Sequence, residues 1–120
     1  MLAPLVRRKG EWSLLFQRRA ENLPAHGGQI AFPGGGAEEG EALEAAALRE
    51  TEEEIGIPAS EVKLIGRLDD LVTISGYVVA PFVGILSGER EYVMQRSEVV
   101  EIFEVPLAKL LSPGNPAVRY

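Results

Sequence analysis

The chain has no cysteine and a single histidine. The first absence removes disulfides, thiolate metal sites and cysteine nucleophiles. No apolar run is long enough to span a bilayer and no secretory signal pattern is present, so membranes are not expected partners and the expected setting is the cytoplasm. No repeat, low-complexity tract or linker divides the sequence, so residues 1–120 are read as one domain. There is no basic stripe either. Arg7, Arg8, Lys9, Arg18 and Arg19 gather near the N-terminus without forming a duplex-binding pattern, so nucleic acid is not expected as a partner. Arg7 to Lys9 is expected to be a solvated terminal segment.

What is present in quantity is acid. The net charge is −6, and eight of the 18 acidic residues fall between Glu38 and Glu54. An acidic site can still handle an anionic substrate if divalent cations invert the local charge. A hydrophobic content of 46% with 25% charged residues otherwise suits an ordinary globular domain.

Strands are expected at Trp12–Arg19, at His26–Phe32 up to Pro33, at Val62–Leu68, at Tyr77–Leu86 and at Val99–Leu107. Tyr77–Leu86 is almost wholly apolar, as in a strand buried on both faces. Pro81 within it predicts a bulge or an edge. Gly34, Gly35 and Gly36 form a loop with few steric limits. "EALEAAALRETEEEI" (Glu41–Ile55) is rich in strong helix formers and is ended by Gly56 and Pro58. "PLAKLL" begins a short helix. Strands and helices interleave without a regular βαβ repeat, which predicts a mixed sheet with helices against its faces.

On the long helix, Glu50, Glu53 and Glu54 are spaced i, i+3, i+4 and share a face, while Leu48, Thr51 and Ile55 form a separate core stripe. Like charges at that spacing repel, and anions are disfavoured in the C-terminal half of a helix. Arg49 can offset one of them through Glu53. Two readings follow: a solvated acidic face, or oxygen ligands for a hard cation such as Mg²⁺ or Mn²⁺. The glycine approach favours the second, because it lets a backbone carbonyl come near the ion.

Gly35, five residues, Glu41, seven residues, then Arg49-Glu50-Thr51-Glu52-Glu53-Glu54-Ile55-Gly56-Ile57 resembles the Nudix box over 23 residues. Thr51 stands where an aliphatic residue is usual. Nudix hydrolases cleave nucleoside diphosphates linked to another moiety, using divalent metal, on an α/β/α sandwich with a mixed sheet. The resemblance implies that Glu50, Glu53 and Glu54 are metal ligands, with a backbone carbonyl at the Gly34–Gly35 turn as a further one. It implies that Arg49 orients the glutamates by ion pairing and that Glu41 supports the site without binding the ion. "LLFQRRAENLPAHGGQIAFPGG" (Leu14–Gly35) is similar to the signature of the coenzyme A pyrophosphatase branch, through Arg18, Leu23, His26, Gly28, Gln29 and Phe32 to Gly35. Leu68–Leu86 and Glu98–Leu107 are similar as well. Branch members usually extend further at both ends, and the segment that completes the last helix is expected to be missing.

The implied reaction is attack of water at phosphorus, splitting coenzyme A into 4'-phosphopantetheine and adenosine 3',5'-bisphosphate. Glu53, Glu98 and Glu101 are the candidates for the base. Arg18 would bind a substrate phosphate. His26 reads as a packed or surface residue or as a substrate contact, Gln29 as a solvent-facing residue or a contact. Thr73, Ser75 and Gly76 read first as a turn and second as a substrate loop. The expected partners are the small-molecule substrate and, at most, a second copy of the chain. Alternatives are a Nudix hydrolase of another nucleotide such as ADP-ribose, a non-catalytic nucleotide-binding module, and a structural acidic helix.

Overall fold

The computed structural model describes residues 1–23, 27–72, 78–87 and 91–111. In chain order its elements are β1 (Leu2–Arg8), β2 (Glu11–Arg19), β3 (Ile30–Ala31), α1 (Leu43–Ile55), β4 (Val62–Arg67), β5 (Leu71–Val72), β6 (Val78–Val79), β7 (Phe82–Leu86), β8 (Val99–Pro106) and α2 (Leu107–Leu110). Six strands form one sheet in the order β3-β2-β1-β7-β4, with β8 also on β2. β1 and β7 run parallel and their other pairings are antiparallel, giving the mixed α+β architecture expected. β2 is the shared strand: β1 takes Glu11–Leu14, β3 takes Gln17–Arg18 and β8 runs along Ser13–Arg19.

Arg7 and Lys9 are exposed, as expected of a solvated segment, but Arg7 and Arg8 belong to the strand β1. Leu2, Ala3, Pro4 and Val6 are buried within it. The strand tolerates Pro4 because β2 pairs only from Leu5 onward, so the missing N–H falls where no β2 partner needs it. Arg8, at its end, donates to Glu104 at 2.8 Å, and the Tyr92 hydroxyl donates to the same carboxylate at 2.9 Å. Burial and then the Glu104 contact push the Tyr92 phenol up to about 12. This trio ties the 91–98 segment to the sheet.

The apolar run at 77–86 is also two elements rather than one. β6 pairs with β5 in a separate two-stranded sheet, and β7 joins the main sheet. Pro81 marks the switch, and its carbonyl accepts the Leu68 amide at 2.9 Å. β3 is shorter than the strand expected from His26. Gly27 and Gly28 form a turn ahead of it, closed by the Gly28 amide on the Arg19 carbonyl at 3.0 Å and the Arg19 amide on the Gln29 carbonyl at 2.9 Å.

α1 lies against the sheet with Ala46, Ala47, Thr51, Glu54 and Ile55 buried. Val6, Leu15, Ile55, Ile57 and Leu86 make one core cluster; Leu2, Ala47, Ala80 and Phe82 make a second, and Val62 touches both. Thr51 suits an aliphatic position because its hydroxyl donates to the Ala47 carbonyl at 2.7 Å, one turn back. Gly56 ends the helix in the left-handed conformation, its amide on the Glu52 carbonyl. Among the described residues no helix is long and apolar enough to cross a membrane.

Candidate active site

The three glutamates do not share a solvent face. A helix advances about 100° per residue, so Glu54 falls beside Ala47, between it and Glu50, on the packing side, and Glu53 lies further round. Glu54 is 2% exposed, whereas the Glu53 side chain is 55% exposed. The structure accordingly brings Glu50 and Glu54 together with Glu98, from the turn before β8, with carboxylate oxygens within 4.8 Å of one another. Glu53 lies outside this group and faces Arg49 at 3.4 Å.

Each member is held from a different side. The Gln17 amide, fully buried on β2, donates to Glu54 Oε1 at 2.5 Å, and the Gly34 amide donates to Oε2 at 3.2 Å. Burial outweighs these two donors and pushes the Glu54 carboxyl up to about 7. The backbone at Gly35 runs against Glu50: a Cβ there would stand 2.7 Å from its carboxylate carbon. At Gly34 a Cβ would stand 2.7 Å from Met1 Cα, so the loop can close on β1 only with glycine.

Arg49 forms the rim. It donates to both oxygens of Glu41 at 2.8 and 2.9 Å, to Glu50 at 3.0 Å and to the Gly36 carbonyl at 3.2 Å. Glu41 also accepts the Glu38 amide; Arg49 first, and that amide second, hold its carboxyl down at about 2. The glutamate ahead of the helix thus anchors the arginine, which in turn fixes Glu50. The helix starts two residues later than expected, at Leu43, with Ala42 providing no side-chain cap.

The remaining predicted residues separate. Arg18 and Glu101 pair with each other at 3.0 Å on the face of β2 opposite Gln17, and Arg18 also donates to the Gly28 carbonyl. Glu101 is therefore not brought to the cluster. The Gln29 carbonyl serves β2, and the residue is exposed. His26 and Ser75 lie outside the described residues. Gln17 was not anticipated; its signal is a polar residue two positions beyond buried Ser13 and Leu15, on the core side of β2.

The donors fit a hard divalent cation. All are oxygens, they come from two elements, and Glu54 is desolvated while, among the described residues, no side-chain cation contacts it, Arg49 reaching Glu41, Glu50 and Glu53 instead. Glu50, Glu54 and Glu98 would hold the ion.

A family model described as the NUDIX domain matches residues 1–119. A curated relative from Escherichia coli O1:K1 / APEC, named as the uncharacterized Nudix hydrolase NudL, is 44% identical over 116 residues. The match covers 96% of this chain and 60% of that relative, so the chain spans only part of the relative's length. Among solved structures, the Nudix hydrolase RenU from M. smegmatis superposes with a TM-score of 0.76 at 24% identity, covering 97% of this chain and 74% of that one. The MutT protein from Methanosarcina mazei Go1 superposes at 0.70 with 28% identity, covering 92% and 78%.

Proposed function

Since this chain belongs to the Nudix family, we propose that it hydrolyses the pyrophosphate bond of coenzyme A or acyl-CoA in the cytoplasm, with Mg²⁺ or Mn²⁺. The observation that carries the hydrolase reading is the convergence of Glu50, Glu54 and Glu98 within 4.8 Å. When bound, a divalent ion supplies charge neutralisation at the diphosphate and makes a water more acidic. Glu50, Glu54 and Glu98 hold it, and the Gly34 carbonyl is a further ligand. Glu53, outside the cluster, serves a second ion.

The protein's own groups do the rest. Arg49 keeps Glu50 and Glu53 in place. A carboxylate takes the proton of the attacking water, and Glu98 is our first candidate: it is exposed, and no donor of the described residues engages it. Glu53 is the second. Water adds across the bridge, one phosphorus gaining the hydroxyl oxygen and the other keeping the bridging oxygen, which leaves 4'-phosphopantetheine and adenosine 3',5'-bisphosphate.

The coenzyme A assignment is supported by the Leu14–Gly35 segment. It supplies Gln17 and Gly34, the two donors to Glu54. The same cluster would equally serve another nucleoside diphosphate derivative such as ADP-ribose. A substrate panel with Mg²⁺ and Mn²⁺, resolved by chromatography, tests the reading. Adenosine 3',5'-bisphosphate from coenzyme A is the expected product. Turnover of ADP-ribose alone would replace the substrate, and nucleotide binding without turnover of any substrate would point to a non-catalytic module.

A further inference from the structure

Arg19 is a half-buried cation that meets no counter-charge among the described residues. Its Nε is shut off from solvent and makes no hydrogen bond, and its guanidinium pairs with no carboxylate among the described residues. Arg8, Arg18, Arg49 and Arg67 each meet a carboxylate at 2.7 to 3.0 Å. Leaving a guanidinium desolvated and unpaired is costly, so Arg19, unpaired among the described residues, is suited to take an anion from outside the chain.

The position of Arg19 says where that anion sits. Arg19 is two residues beyond Gln17 on β2, hence on the face from which Gln17 reaches Glu54. It lies opposite Val99 in the β2–β8 register. The next amide, of Ala20, donates to the Glu98 carbonyl at 2.9 Å. The carboxylate of Glu54 and the backbone of Glu98 are therefore each reached from within two residues of Arg19, yet Arg19 forms an ion pair with neither residue. Arg18 faces the other way, committed to Glu101.

We infer that Arg19, rather than Arg18, grips the diphosphate of the substrate beside the ion cluster. A guanidinium offers several N–H donors in a fixed plane, which matches two oxygens of one phosphate. The carboxylates would repel a diphosphate until an ion covers them, and Arg19 supplies a positive charge, fixed in the protein beside them, that no carboxylate of the described residues takes up. The inference rests on the pyrophosphohydrolase reading of the same site.

The test uses imidodiphosphate, whose P–N–P bridge resists hydrolysis, titrated calorimetrically into the chain with saturating Mg²⁺. Arg19→Met should weaken binding by about tenfold or more, as expected for loss of a charged hydrogen-bonded contact. Arg19→Lys should recover part of it, and carries the test should Arg19→Met not fold. Arg7→Met, which removes an equal charge beside Trp12, should bind as the wild type does. The melting-temperature rise produced by Mg²⁺ alone should be the same in Arg19→Met and wild type. Equal imidodiphosphate affinity in wild type and both Arg19 variants would overturn the inference while leaving the hydrolase reading intact. No binding by wild type would overturn both.

Discussion

The Gln17 side-chain amide donates to Glu54 across 2.5 Å, with both residues inside the protein. A neutral amide from the sheet thus supports an acidic group from the helix, and the other amide atom, Oε1, is buried without a partner. Gln17→Leu keeps the bulk and removes the donor. It should cost the metal-free protein roughly 1–3 kcal/mol at neutral pH, the penalty of leaving a buried charged acceptor short of a bond. Chemical denaturation at neutral and mildly acidic pH measures it, and the loss should shrink in acid, where Glu54 is protonated. An equal loss at both would mean that Gln17 contributes packing alone.

Stability without metal should fall as pH rises. The Glu54 carboxyl is pushed from 4.5 up to about 7, chiefly by burial. The folded chain therefore keeps a proton that the unfolded chain releases. The stabilisation this gives is complete below the unfolded value and is lost as pH climbs through the folded one, a swing on the order of 3 kcal/mol. Binding of a divalent ion favours the anion, so millimolar Mg²⁺ should raise the melting temperature more at about pH 8 than at about pH 5. A shift that is larger in acid would contradict the site.

Gly35→Ala tests the contact between loop and helix. The added methyl would stand 2.7 Å from the Glu50 carboxylate carbon. Glu50 must then swing away, which is expected to lower ion affinity by about tenfold or more with little change in metal-free stability. Gly36→Ala meets nothing within 4 Å and should bind the ion normally. Manganese titration followed by electron paramagnetic resonance would compare the two.

The three candidate bases can be ranked by substitution to glutamine. Glu98→Gln should weaken ion binding and slow turnover by about a hundredfold or more. Glu101→Gln should cost less, its carboxylate being bound to Arg18 at 3.0 Å. Glu53→Gln should keep the thermal shift of the first ion and lose turnover. If it folds and retains full turnover, Glu53 has no part in the reaction.

Sequence spacing was a sound guide to the helix and its Gly56 terminus, but the Arg49–Glu41 pairing came only with the structure. It was a poorer guide to which glutamates meet. The i, i+3, i+4 pattern places Glu50, Glu53 and Glu54 near each other, but burial of α1 against the sheet rotates Glu54 inward and leaves Glu53 outside. Glu98 joins them through tertiary folding, 44 residues beyond Glu54 in a chain whose local pattern cannot encode that meeting. β1 was hidden by Pro4, which reads as a strand breaker until the pairing is known. The β7 run was legible as buried, whereas its division at Pro81 depends on a change of sheet.

β2 gives alternate residues different duties. Leu15 fills the core, Gln17 supports Glu54, and Arg19 continues on that face, while Phe16 stacks on Phe32 at 4.8 Å and Arg18 holds Glu101 on the other. One residue inserted or deleted between Leu15 and Gln17 would exchange the two sets beyond it, turning Arg18 inward and Gln17 out. This strand should therefore accept many single replacements yet almost no change in length. Lineages descended from a common ancestor are expected to vary in letters here and to keep the count.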